Sequence, residues 1–236
     1  MPHKIVFLVF LIANGFGFSV FLARGTIVSW YVFEKTNSTF LVALITSIPT
    51  MTLPLLSPLG GKLADSVSRK SVFLAARIAT FITVIIMALV INLDFFPIAL
   101  LIITSILFGL TASIEGASTQ NLLIDILGIK HLSIGNGYKE LFNSGLNALL
   151  PLIIGVLLIT LSPSIIFWIL PIIGFIGLLF GYLLFIKFHP TNDDTKSSQS
   201  FADVSVKDAL IYVKNNENIR VLLLLGFGMM LFWSFP

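Results

Sequence analysis

Gly60-Gly-Lys-Leu-Ala-Asp-Ser-Val-Ser-Arg-Lys70 is a polar passage set between two apolar ones. Before it, residues 40–59 hold no charge; after it, residues 71–92 hold one, Arg77. A helix crossing a bilayer needs about 20 mostly apolar residues. Backbone in lipid finds no water to bond, so a crossing segment satisfies its own hydrogen bonds as a helix. The passage therefore predicts a helical hairpin through a membrane, with residues 60–70 as its turn.

Outward from this hairpin the pattern recurs. Residues 5–33 form a first span, expected to break near Gly15, Gly17 and Gly25. Pro49, Pro54 and Pro58 are expected to kink the second, 40–59. Residues 71–92, 95–116 (continuing toward Asn121), 134–161 and 164–188 are the third to sixth spans. A seventh begins at Val221 and stops at Pro236, too short to cross. The opening run continues to Phe33 with no small-residue cleavage site, so it reads as a retained helix, not a signal peptide. Residues 34–39, 92–94 and 162–164 are tight turns. Residues 189–220 are long and polar, and Thr191-Asn-Asp-Asp-Thr-Lys-Ser-Ser-Gln-Ser200 has the composition of a flexible linker. Beyond it, Phe201, Val204, Val206, Ala209, Leu210 and Val213 recur at roughly helical spacing, with Ser205 and Asp208 in a capping-box pattern. That predicts an amphipathic helix at the membrane surface. The expected organisation is a six-helix bundle over 1–188, a linker with its helix over 189–219, and the start of a seventh helix over 220–236.

Composition supports the same class. The chain is 57% hydrophobic and 11% charged, and soluble domains of this size need more polar cover than that. A net charge of +3 is dispersed between apolar segments, which argues for orientation in a bilayer and against nucleic acid. There is no cysteine, hence no disulfide framework and no thiolate metal site. Lys4, Lys62, Arg69, Lys70, Lys130, Lys187, Lys196, Lys207 and Lys214 fall on one side of the predicted topology, against Lys35 on the other. Basic loops mark the cytoplasm, so the N-terminus and the long linker are expected inside, in the cell (plasma) membrane.

The 60–70 passage resembles the signature loop of the major facilitator superfamily, G-x-L-a-D-r-x-G-r-k. Gly61, Leu63, Asp65, Arg69 and Lys70 stand on its positions; Ser66 and Ser68 depart from the usual Arg and Gly. The resemblance implies that this loop latches the two halves of a transporter in one state and releases them in the other, with Asp65 as the latch. Tyr31-Val-Phe-Glu-Lys-Thr-Asn-Ser38, Ile134-Gly-Asn-Gly137 and Asp208-Ala-Leu-Ile-Tyr-Val213 look similar to the drug, macrolide and enterobactin-type exporters of that family. Two exporter features differ. The fourth span has no Arg, Phe108 preceding Gly109; and Leu146, Leu150 and Ile154 hold Gly positions of a fifth-span motif, although Gly137 and Pro151 keep theirs.

Charges inside a bilayer are expensive and mark function or pairing. Asn14 and Arg24 in the first span, Glu115 in the fourth and Glu140 in the fifth are the candidates for substrate or proton contact. Arg24 and Asn14 are expected to face a central cavity, and Glu115 or Glu140 to exchange a proton. Arg77 and Lys139 are expected to snorkel to headgroups. Lys139 and Glu140, adjacent on a helix, point about 100° apart and are not expected to form a compact ion pair. Trp30, Tyr31, Trp168 and Tyr182 are expected as interfacial anchors.

The expected architecture is an all-α half-bundle of two inverted three-helix repeats, working against a second half to give twelve helices and roughly 400 residues in all. The resemblance implies a secondary transporter without a cofactor, whose partners are protons, lipid, a small molecule and its own C-terminal half. The resemblance to exporters implies proton-coupled efflux, and the few charges in the spans favour a small amphipathic compound, a drug, antibiotic or siderophore, over a sugar or a dianion. An importer of the same fold, a non-transporting fragment and a membrane-embedded enzyme are the alternatives. An enzyme would need acids or histidines clustered at one membrane face, and Asp65 and Asp125 read as isolated.

Overall fold

The structure is a computed structural model that describes residues 4–66, 69–92 and 98–187 and short stretches between 215 and 225; for 54, 55, 57–66 and 163 it describes the backbone alone. The chain divides into two compact units, Met1–Asp194 and Thr195–Pro236. In the second, Arg220 N–H donates to the Asn216 carbonyl at 3.1 Å. The expected linker and amphipathic helix, and most of the expected seventh span, lie outside the described residues.

The first unit is a set of six long helices: α1 (Lys4–Thr36), α2 (Thr39–Ser66), α3 (Arg69–Ile91), α4 (Ile98–Leu127), α5 (Leu132–Thr160) and α6 (Pro163–Lys187). Among the described residues, α1, α3, α4, α5 and α6 are long and apolar enough to cross a membrane. α2 has 28 residues, and its described apolar stretch is Thr39–Leu53. The turns follow local chemistry. Asn37 takes φ 49°, a left-handed value that asparagine tolerates, and its N–H closes α1 on the Phe33 carbonyl. Ser38 then accepts the Leu41 N–H at 3.3 Å and caps α2.

Where the structure differs from expectation, lipid explains it. α1 is unbroken through Gly15, Gly17 and Gly25, because a break would strand backbone groups without water. α2 remains helical through its three prolines. Hydroxyls inside the spans bond back to their own helix, as Ser29 does to the Gly25 carbonyl and Thr83 to that of Ala79.

Consecutive helices alternate in direction. The start of α1, the ends of α2, α4 and α6 and the starts of α3 and α5 therefore share one end of the bundle, called here the Lys4 end. Contacts obey an exchange rule. α1 packs on α6 and α5; α4 packs on α3 and α2; α3 packs on α6. Swapping the first three helices for the last three returns the same set, and each helix so exchanged runs the opposite way. These are two inverted three-helix repeats. A glycine on the leading helix of each repeat makes a close approach. A Cβ at Gly15 would overlap the Phe142 ring of α5, and one at Gly109 would stand 2.8 Å from Thr52 Cβ of α2.

Two apolar clusters result. One, near the Lys4 end, holds Phe7, Phe10, Phe73, Leu122 and Leu184. The other holds Val20, Ile27, Val84, Met87, Leu101 and Phe167. Tyr31 belongs to this second cluster, edge-on to Phe167 at 5.4 Å, and is a core residue instead of the expected interfacial anchor. Polar side chains from four helices lie between the clusters.

Candidate functional site

A cavity of about 250 Å³ opens among α1 to α5. Phe18, Phe21, Leu53, Phe108 and Ala112 give it apolar walls. Asn14, Thr80, Glu115, Thr119 and Lys139 supply its polar groups. Phe21 of α1 and Phe108 of α4 stack at 6.1 Å and form one aromatic wall.

Glu115 is the single carboxylate among the lining residues. Its Oε1 lies 3.1 Å from a terminal nitrogen of Arg77 on α3, a charge contact that is not aligned as a hydrogen bond. Thr80, one turn on from Arg77, donates to Glu115 Oε2 at 3.5 Å. The route Arg77 takes is cut through glycine. A Cβ at Gly17 of α1 would overlap the guanidinium, and an ideal Cβ at Gly177 of α6 would stand 3.6 Å from its other terminal nitrogen. Phe73 covers the group at 5.0 Å. Arg77 is therefore fully enclosed among α1, α3, α4 and α6 and does not snorkel. Its side chain is too deep and too well fixed by Glu115 to reach a headgroup.

Arg24 has a different environment. It is 2% exposed and donates to the Ser105 hydroxyl of α4, which passes its own proton to the Leu101 carbonyl at 2.6 Å. The guanidinium lies 5.0 Å from the centre of the Phe108 ring, and Nε has no partner. No carboxylate pairs with it among the described residues. Phe108 thus has a cation on one face and borders the cavity. Arg24 stands behind that wall and does not line the cavity as expected.

Asn14 does line it, and donates to Asn143 of α5 at 3.2 Å. Lys139, one turn before Asn143 on the same face, reaches the cavity as well. Glu140 does not. It is 66% exposed and meets Lys139 at 3.4 Å, forming the ion pair that adjacency alone was expected to prevent. Both side chains are long enough to curl across the 100° between them.

At the Lys4 end, Gly61, Leu63 and Asp65 occupy the last turns of α2, and their side chains lie outside the described residues. Arg69 at the start of α3 forms an ion pair with Asp125 of α4, which is accordingly not isolated. Lys70 lies 4.9 Å from the Phe185 ring of α6. The passage that divides the first hairpin thus ties both repeats together at one membrane face.

Residues 6–236 match the Major Facilitator Superfamily. The chain belongs to that family. No curated protein matches it. As a facilitator, it is a multi-pass membrane protein of the transporter class, built on the six-helix unit with inverted repeats seen here.

Of the site candidates, the structure brings Asn14 and Glu115 to the facilitator's cavity, with Arg24 one ring away and Glu140 outside. Sequence reading missed Arg77, Thr80, Ser105 and Asn143. The signal for Arg77 was present: a charge in the third span that reads as costly unless a carboxylate in another span answers it.

Proposed function

We propose that this facilitator exports a small amphipathic molecule from the cytoplasm in exchange for protons, by alternating access across the plasma membrane. In this reading the Lys4 end faces the cytoplasm, and a second six-helix body closes the cavity opposite α1 and α4. The observation that carries it is Glu115, the one acid on an otherwise largely apolar and aromatic wall. Such a wall suits an amphipathic substrate better than a sugar. A carboxylate between helices, held to an arginine on the next one, is a charge inside the bilayer that calls for a functional reason. Protonation would remove its attraction to Arg77, leaving that cation balanced only by the Phe73 ring, and would thereby change how α3 holds α4. The Arg69–Asp125 pair supports a latch at the Lys4 face, with Asp65 as its remaining member.

The test is accumulation of a fluorescent amphipathic dye in cells stripped of their own pumps, normalised to the amount of membrane-inserted protein. Wild-type chain lowers accumulation, and a protonophore abolishes the effect. The double variant Arg77→Gln with Glu115→Gln, which leaves no charge unpaired, remains inserted and loses the protonophore-sensitive export. Export by the double variant that still collapses with protonophore would remove Glu115 as the proton site.

A further inference from the structure

The charges around the cavity do not cancel. Arg77 is answered by Glu115 at 3.1 Å. Lys139, 16% exposed, is answered only by Glu140, which stands largely in the open and outside the cavity lining. An ion pair so exposed is weak and exchangeable. Arg24 is answered by a neutral hydroxyl and an aromatic ring. Counting the groups that face inward, three cations meet one carboxylate among the described residues.

These charges bear on one ligand region. Lys139 and Asn14 lie on the α1–α5 side of the cavity, and Asn14 leaves an amide beside the Lys139 turn. Phe108, stacked on Phe21, belongs to the aromatic wall of the same cavity. A cation on the buried face of an aromatic ring draws its electron density inward. The cavity face of Phe108 is then a poor surface for a second cation and a good one for electron-rich groups. Walls of low polarity let such uncancelled charges act over longer distances than water would.

We infer that the cavity selects amphipathic molecules bearing an acidic group, a carboxylate or sulfonate held at Lys139 and Asn14, and rejects lipophilic cations. Arg24 supplies the second positive charge through Phe108 without touching the ligand and is a positioning residue. This rests on the export reading for its site and adds the sign of the substrate.

The test is equilibrium binding by fluorescence anisotropy, on the full chain purified in neutral detergent without any proton gradient. The probes share one dansyl-alkyl skeleton and differ at the head, carboxylate in one and trimethylammonium in the other. The anionic probe binds about tenfold tighter, a difference of about 1.4 kcal/mol. Arg24→Gln and Lys139→Gln each bring the two probes to within about threefold of one another, whereas Arg24→Lys and Lys139→Arg keep the preference. Equal or tighter binding of the cation, binding of neither probe, or a preference that survives both glutamine variants would overturn the inference. Failure of the dye-export experiment leaves this binding result standing, and a reversed sign preference leaves proton-driven export standing, so the two readings fall separately.

Discussion

Around Arg77 the bundle supplies a carboxylate and glycine clearances; around Arg24 it supplies a hydroxyl and a benzene ring. Both arginines are buried in spans of one six-helix unit, and both carry a charge that lipid penalises. The first is integrated into packing: remove its partner and the helices around it lose a contact they were shaped for. The second is held by a neutral hydroxyl and an aromatic face, with no carboxylate partner among the described residues. Stability and function should therefore separate between the two layers.

The largest effect is expected from Glu115→Gln, which leaves Arg77 enclosed and unpaired. Breaking a buried ion pair from one side costs about 3 kcal/mol. Thermal unfolding in detergent should show a clear drop, and adding Arg77→Gln should recover much of it. Independent losses in the double variant would break the comparison. Next comes Gly17→Ala, whose new methyl overlaps the guanidinium, at about 1–3 kcal/mol. Gly25→Ala is its control, since nothing lies within 4 Å of a Cβ there, and its unfolding temperature should not fall. Arg24→Met should leave stability within about 1 kcal/mol of wild type or raise it, because no carboxylate is orphaned. A loss as large as that of Glu115→Gln would show that Arg24 is structural. Asn14→Ala is the smallest, about 0.6 kcal/mol for one interhelical hydrogen bond in a membrane.

The spans were legible because lipid imposes length and apolarity on each helix independently. All six observed helices begin within three residues of expectation, an error typical of helix ends. Two helices were underestimated at their ends, α2 running to Ser66 and α4 to Leu127 through Asn121 and Asp125. Asn121 and Asp125 look like a loop until Arg69 is seen to answer Asp125. What sequence could not supply was which side of each helix meets which neighbour. Arg77 and Glu115 are far apart along the chain, and only the packing of α3 on α4 brings them together. The same ignorance of facing made Lys139 a headgroup contact, although it reaches the cavity. In the signature passage Arg69 pairs with Asp125 of α4, a partner that packing supplies and the sequence alone does not.

Gly15 and Gly109 occupy equivalent turns of antiparallel helices, so one lies nearer the Lys4 end and the other nearer the opposite end. Bulk added at either is a wedge, and the two wedges sit in opposite leaflets. A single duplicated part, inverted, thus gives the protein a matched pair of close helix contacts displaced toward opposite ends of the bundle. A side chain added at one has a counterpart position at the other.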